Sequence, residues 1–185
     1  QDMTGIAPVA RRLDDLVVSA SRTPVPRREV GGAITVITAA EIEQKQGRLV
    51  SDLLRSVPGV SVNRAGPTGA LTQVRIRGAE ANHTLVLIDG IEANDPAFGA
   101  EFDFAHLLAS DVERIEVLRG NQSALWGSDA IGGVVNIVTK RGRPGFQATG
   151  FAEGGSFGTA HVAASARGGG ERYDAALSAA YLRSD

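Results

Sequence analysis

The stretch that most constrains the fold of this chain runs from Asp111 to Lys140, where two strand-like segments enclose a short, turn-rich helix. In the first segment Ile115 and Val117 alternate with Arg114 and Glu116, the period of two expected of a half-buried strand. One face of this strand is therefore expected in the core and the other outside it.

The rest of this stretch predicts a helix and a second strand. Asn121 is a candidate N-cap for a helix from Gln122 to Trp126, and Gly127 is a candidate for its C-terminal stop. Gly132-Gly133 allows a close backbone approach. Val134–Val138 is nearly all apolar, which indicates a strand covered on both faces.

These residues carry a family resemblance. ERIEVLRG followed by SALWGSDAIGGVVNIVTK resembles the signature at the end of the plug domain of TonB-dependent outer-membrane receptors, in the branch that includes the cobalamin transporters. The blocks DDLVVSAS, ITVITAAEIE, LLRSVPGVSV, VRIRG and LVLIDGIEAND precede it in the family's order, so the resemblance covers roughly residues 14 to 142. One departure is Asn121, where the family usually has Pro. The resemblance implies an α+β plug domain, with a mixed sheet and short helices, followed by the first antiparallel strands of a transmembrane β-barrel.

Composition excludes several classes of function. A net charge of -2 without a basic stripe argues against a nucleic-acid partner, and the absence of cysteine excludes thiol chemistry and Cys-based metal sites. No apolar run approaches the ~20 residues of a membrane-spanning helix, and the Gln start fits a mature, processed N-terminus. The histidines lack metalloprotease spacing and no Ser lies in a nucleophile elbow, so we predict that the chain is not an enzyme and needs no cofactor.

Residues 1–30 are predicted to form a flexible tail with one apolar, β-branched run, Leu16-Val17-Val18. Such a run can be added as a strand to a partner's sheet edge, or it can pack as an edge strand on its own domain. The resemblance identifies it as the TonB box, which the TonB energy-coupling protein grips from the periplasmic side. The residues of this box are Asp15, Leu16, Val17, Val18, Ser19 and Ala20, and the family often has Thr at the first of them.

Residues 31–142 are predicted to form the plug domain. The sequence from Thr38 to Glu41 reads as a capping box that begins one helix. A second helix has Leu49, Leu53, Leu54 and Val57 on one face and ends at Pro58-Gly59. Thr84–Ile88 is continuously apolar and is predicted to be a central strand.

Two arginines are candidates for holding the plug in place. Gln73–Gly78 alternates, with Val74 and Ile76 on one face and Arg75 and Arg77 on the other. Charges of this kind are often simply solvated. The resemblance instead implies that Arg77 and Arg119 form a plug–barrel lock with barrel glutamates that lie outside these 185 residues.

Two loops are candidates for ligand contact. Asn63–Leu71 contains Gly and Pro, and Glu92–Phe104 combines clustered carboxylates with three Phe residues, the mixture typical of ligand sites. The carboxylates lack the spacing of an EF-hand, so no metal site is assigned, and Ca²⁺ is considered only as a bridge to a substrate. The family turns both loops outward, which gives these candidate contacts: Asn63, Arg64, Thr68, Leu71, Asn94, Asp95, Phe98 and Phe102.

Residues 143–185 are predicted to form the first barrel strands. Tyr173, Ala175, Leu177, Ala179 and Tyr181 fall on one face of the last strand. Eight tilted residues span about 19 to 20 Å, close to the ~25 Å apolar band of membrane barrels. An ordinary hairpin of a soluble protein is the alternative. Three strands cannot close a barrel, so the barrel is incomplete in this chain.

The resemblance implies active uptake of a scarce, large nutrient through the bacterial outer membrane, with the plug facing the periplasm. Its partners would be the TonB protein, the receptor's own C-terminal barrel, outer-membrane lipid and the ligand. A corrinoid such as cobalamin is the first substrate expectation, because the resemblance is nearest to the cobalamin branch. The second loop, with four acidic residues and no Lys or Arg, also favours a neutral or cationic ligand. A ferric siderophore is the alternative. A soluble periplasmic binding module and, third, a metal-assisted hydrolase are the competing classes.

Overall fold

The computed structural model describes residues 16–17, 25–26, 32–142, 144–156, 158–170 and 173–184. Its helices are α1 (Ala39–Lys45), α2 (Val50–Leu54) and α3 (Ser123–Trp126). Its strands are β1 (Leu16–Val17), β2 (Val25–Pro26), β3 (Ala33–Ile37), β4 (Val60–Arg64), β5 (Thr72–Ile76), β6 (Thr84–Ile88), β7 (Ile91–Glu92), β8 (Val112–Arg119), β9 (Gly133–Thr139), β10 (Gly145–Gly154), β11 (Ala160–Gly169) and β12 (Asp174–Arg183).

A five-stranded mixed sheet organises residues 32–142, with strand order β3-β8-β9-β6-β7. The strands β6 and β9 run parallel, and the other neighbours are antiparallel. β4 and β5 form a separate antiparallel hairpin. This arrangement confirms the expectation of a mixed sheet with short helices.

The larger apolar core lies on one face of this sheet. Inward residues of β3, β6, β8 and β9 pack there against α1, α2 and the β4–β5 hairpin. Ile115 and Val117 contribute from β8, as predicted. Leu53 and Leu54 contribute from α2 and are at most 1% exposed.

The opposite face of the sheet is also buried, which corrects the expectation that Arg114 and Glu116 face away from any core. Glu116 is 0% exposed, and Leu118 belongs to a second, smaller apolar cluster. The Glu116 carboxylate accepts hydrogen bonds from Arg114 Nε at 2.9 Å and from Asn136 Nδ2 at 3.2 Å. Because β8 has neighbouring strands on both sides and cover on both faces, a charge there must be paired.

Local signals in the sequence set several element boundaries. The Thr38 side chain caps α1 and Glu41 bonds back to the Thr38 backbone, so the capping box is confirmed. The helix α2 ends at Leu54, earlier than the predicted stop at Pro58-Gly59, and the chain turns into β4 at Gly59, whose φ is +75°. The last helix starts one residue later than predicted, at Ser123, although the Asn121 side chain does accept a hydrogen bond from Ser123 N at 2.8 Å.

Gly133 marks a close approach between β8 and β9. Its φ is +154°, and a Cβ added there would lie 2.4 Å from the carbonyl oxygen of Leu118. A side chain at this position would push the two central strands apart. The expectation that Gly132-Gly133 permits close backbone contact is therefore confirmed.

Two expectations about loop and strand limits were wrong. β4 continues through Asn63 and Arg64, because both residues pair with β5, so the hairpin loop spans only residues 65–71. Arg77 lies beyond the end of β5 with a φ of +53°, so it does not share the strand face of Arg75.

The strands β10, β11 and β12 form a second, three-stranded antiparallel sheet. The register places Phe146, Val162, Leu177 and Tyr181 on one face, where all four side chains are exposed. The other face carries polar side chains, among them Thr149 and Ser165, whose hydroxyl oxygens are 2.7 Å apart. In the described residues, no helix has both the length and the apolar composition needed to cross a membrane.

In the predicted TonB box, Leu16 and Val17 form β1, which pairs antiparallel with β2. This two-stranded unit is separate from the sheet of the plug domain. The other predicted residues of the box, Asp15, Val18, Ser19 and Ala20, lie outside the described residues.

Candidate functional site

Arg77 and Arg119 meet beside two glycines. A Cβ added to Gly120 would lie 3.2 Å from Arg77 Nη1, and one added to Gly59 would lie 3.8 Å from both arginine side chains. The backbone N–H of Arg77 donates to the Gly59 carbonyl at 2.8 Å, which holds the left-handed turn in place. The fold thus brings together two cations that are far apart in sequence.

Arg119 is fixed by uncharged acceptors. Its guanidinium donates to the Pro58 carbonyl at 2.7 Å, to Thr35 Oγ1 at 2.9 Å and to the Ala33 carbonyl at 3.3 Å. In the described part of the chain, no carboxylate lies within ion-pair distance of Arg119 or Arg77. Two like charges whose side chains flank the same glycine repel each other, so this site is suited to face one or more anions.

The two candidate ligand loops lie together. Thr72 N donates to Asp103 Oδ1 at 2.9 Å, and Gln73 Nε2 donates to Glu101 Oε2 at 2.5 Å. A Cβ on Gly69 of the first loop would lie 3.7 Å from the ring of His106, just after the second loop. Side chains from both loops can therefore touch one ligand.

Asn94 has a structural role that the sequence did not reveal. Its side chain is 8% exposed, accepts from Val86 N at 2.7 Å, and donates to the carbonyls of Thr84 at 3.1 Å and Ala100 at 2.8 Å. All of these partners are internal. Asn94 therefore clamps the acidic loop to β6 instead of presenting its amide to a ligand.

The other candidate contacts divide by exposure. Phe102 is half-buried, with its ring 4.7 Å from Phe104 in an edge-to-face arrangement. Arg64 is half-buried and pairs with Asp52 at 3.2 Å. Leu71 is also half-buried. The exposed candidates are Asn63, Thr68, Asp95 and Phe98.

Two of the four acidic residues of the second loop serve as caps. Asp95 accepts from Ala97 N and Asp103 accepts from Ala105 N, each at 2.9 Å, at the start of short 3₁₀ turns. Across the described residues, no cluster of three His, Asp or Glu side chains is arranged to hold a metal ion. The carboxylate-rich composition of this loop thus has a local structural explanation.

An ion pair that the sequence analysis did not find joins the plug to the second sheet. Arg48, between α1 and α2, donates from Nε to Glu153 Oε2 of β10 at 3.1 Å, and Nη2 donates to Oε1. The hydrogen bonds to Glu153 raise the pKa of Arg48. The partners are 105 residues apart. The sequence pattern indicates only that Glu153 lies on the face of its strand opposite the apolar face.

A cleft of about 520 Å³ lies beside this ion pair. The side formed by β10, β11 and β12, here called the wall, is lined by the hydroxyls of Thr149, Ser165 and Ser178 together with the ring of Phe151. The side formed by residues 32–142 includes Glu43 and Lys140. The polar face of the second sheet is therefore the face turned toward the plug. The three strands therefore form one side of the cleft, and their opposite face is apolar and exposed.

The fold and its contacts define a plug-type domain followed by the start of a strand wall. Residues 26–134, more than half of the chain, match the family model of the TonB-dependent receptor plug domain. The chain belongs to this family, whose members are transport receptors and not enzymes.

Solved structures of outer-membrane receptors share this fold. The ferripyoverdine receptor of Pseudomonas aeruginosa is 22% identical with a TM-score of 0.77, over 90% of this chain and 22% of the receptor. The alcaligin receptor of Bordetella pertussis is 22% identical with a TM-score of 0.74, over 92% and 30%. The siderophore receptor PirA of Acinetobacter baumannii is 30% identical with a TM-score of 0.64, over 80% and 24%.

This chain thus spans between about a fifth and a third of the length of these receptors. The neighbours are siderophore receptors, so the expected placement in the cobalamin-transporter branch is not confirmed.

Proposed function

We propose that the full-length protein is a receptor of the bacterial outer membrane that takes up a large, scarce ligand with energy supplied through the TonB protein. One observation carries this proposal: a plug-family domain is joined to strands whose outer face is apolar and whose polar face meets the plug. A wall between lipid and a wet lumen requires this alternation. The remaining strands would come from the receptor's C-terminal barrel.

In this proposal the tail is the point of attachment for the TonB protein. Leu16-Val17-Val18 is a short β-branched run that precedes β3 in the chain, and a partner can pair with it as an added strand. Force applied to the tail would reach the plug at Ala33, where β3 joins β8 at the edge of the sheet. The plug would then face the periplasm on the side where the tail leaves it.

Arg77 and Arg119 would lock the plug to the complete barrel. Two neighbouring cations without carboxylate partners in the described residues need anions, and barrel glutamates would provide them. Replacement of either arginine with Ala should loosen the plug and admit large antibiotics into cells. Unchanged antibiotic susceptibility in both variants would count against this lock.

A ferric siderophore is the substrate class that we propose first, and a corrinoid is the second. The solved neighbours take siderophores, and the acidic loop that favoured a corrinoid uses Asp95 and Asp103 as caps for backbone N–H groups. Hydrogen bonds from these N–H groups offset part of the negative charge that the two carboxylates present to a ligand. The exposed Phe98, at 53%, provides an apolar contact for a large ligand.

The experiment is equilibrium binding of ferric siderophores and of cyanocobalamin to the purified full-length receptor, with and without calcium. We expect tight binding of at least one ferric siderophore, no binding of cyanocobalamin and no effect of calcium. Tight corrinoid binding without siderophore binding would reverse the order of the two substrates. Failure of both classes to bind would refute the uptake of either.

A further inference from the structure

We propose that Arg48 and Glu153 form a second anchor between plug and wall, separate from the Arg77 and Arg119 pair. The contact is bidentate, with two guanidinium nitrogens on the two carboxylate oxygens. This arrangement fixes the orientation of the two groups as well as the distance between them. The anchor rests on the fold and its contacts and does not depend on which ligand the receptor binds.

Arg48 is firmly attached to the plug. Its carbonyl accepts from Ala109 N at 3.0 Å, Val50 N donates to the Leu107 carbonyl at 3.0 Å, and Leu49 forms a bridge with Leu108. The segment 107–109 leads directly into β8. A force on the Arg48 side chain therefore acts on the central sheet and not on a loose loop.

Glu153 is equally well supported on the wall. It is paired with His161 across β10 and β11, and the ring of His161 packs edge-to-face on Phe151 at 5.1 Å. His161 is 4% exposed, and its Nδ1 lies 3.9 Å from Glu153 Oε2. The ring of His161 makes no hydrogen bond to the carboxylate, but its packed position beside Glu153 restricts the space into which that side chain can turn.

The two sets of contacts lie at opposite ends of β8. Arg119 is the last residue of this strand, whereas the segment that holds Arg48 precedes its first residue, Val112. The first and last of these eight residues are seven rises of ~3.3 Å apart, which separates the two ends by about 23 Å. Anchors at both ends fix the orientation of the plug, and loss of one anchor leaves the plug able to pivot about the other.

Thiol labelling of the full-length receptor tests this anchor without ligand or energy. These 185 residues contain no cysteine, so Ser178→Cys places a reporter on the wall side of the cleft once any cysteines elsewhere in the receptor have been changed to Ser. The measurement is the rate at which a bulky hydrophilic maleimide labels this thiol. Comparable yield and circular dichroism of each variant show that the receptor has folded.

Arg48→Gln or Glu153→Gln should each raise the labelling rate roughly two- to five-fold, the range for a half-exposed ion pair. The double variant should be no faster than either single variant, because both remove the same contact. The exchange Arg48→Glu with Glu153→Arg should return the rate to within about two-fold of the original.

Arg55→Gln is the matched control, since Arg55 is an exposed arginine just after α2 that contacts the Val62 carbonyl at 3.3 Å and Asp52 at 4.0 Å and makes no hydrogen bond or ion pair to the described residues of the second sheet. It should leave the rate unchanged. The anchor is refuted if the Arg48 and Glu153 variants label no faster than Arg55→Gln, or if their effects are additive in the double variant. Loss of ligand binding alone would bear on the proposed substrate and not on this contact.

Discussion

Replacement of Arg119 with Ala should release β3 from the plug sheet. The guanidinium joins the first residues of β3, through Ala33 and Thr35, to β8 and to Pro58 after α2. β3 lies at the edge of the sheet and pairs with β8 over only five residues. The side chain of Arg119 therefore adds to the backbone pairing with β8 and to the burial of Val36 and Ile37, which also hold this strand.

The magnitude follows from the three hydrogen bonds. Hydrogen bonds to a charged group contribute about 1.5 to 3 kcal/mol each. Because Arg119 is only half-buried, each of its three hydrogen bonds is taken as roughly 1 kcal/mol. The local opening of β3 should become easier by about 2 to 3 kcal/mol. Since 1.4 kcal/mol corresponds to a factor of ten, the β3 amides should exchange roughly 30 to 150 times faster.

Hydrogen–deuterium exchange of the purified full-length receptor measures this effect directly. Arg119→Lys keeps the charge but loses the forked N–H donors of the guanidinium. The β3 amides of this variant should exchange at an intermediate rate, and any attraction to barrel carboxylates should be preserved. Arg55→Ala is the control, since Arg55 contacts only the Val62 carbonyl at 3.3 Å and Asp52 at 4.0 Å. If the exchange rate of the β3 amides rises less than about three-fold in Arg119→Ala, the Arg119 side chain does not hold β3.

Four further changes test other parts of the structure. Gly133→Ala should lower plug stability by about 2 to 4 kcal/mol, because its Cβ would meet the Leu118 carbonyl; an unchanged melting temperature would contradict this. Asn94→Ala should expose the acidic loop to limited proteolysis, and wild-type resistance would show that the clamp is dispensable. Phe98→Ala should weaken ligand binding about three- to ten-fold without altering the melting temperature, whereas equal affinity would remove this residue from the ligand site. Arg77→Ala should sensitise cells to a large antibiotic while leaving β3 exchange nearly unchanged, and faster β3 exchange would assign Arg77 a structural role instead.

Local features were the most predictable from the sequence. The capping box at Thr38 depends on residues three apart, and the Gly133 contact follows from a glycine pair beside an apolar strand. Alternation placed Ile115 in the core correctly. It misplaced Glu116, because the period of a strand shows that its two faces differ but not whether the second face is covered.

The candidate site was harder to predict because it depends on contacts between distant residues. Asn94 looked like a polar contact in an acidic loop, and only the fold places its amide against the backbone of β6. Arg48 and Glu153 are 105 residues apart and belong to no common motif. Nothing in the sequence around either residue names the other as its partner.

Ligand uptake, but not ligand binding, should depend on a strand that the tail donates to the TonB protein. Leu16→Pro removes a backbone donor and fixes φ in the segment that the TonB protein would pair with. The measurement is uptake of a labelled ferric siderophore by cells that make the full-length receptor, alongside binding to de-energised cells. Leu16→Pro and collapse of the proton gradient should each abolish uptake and leave binding within about two-fold of the unmodified receptor. Undiminished uptake by the Leu16→Pro receptor would contradict this dependence on the tail.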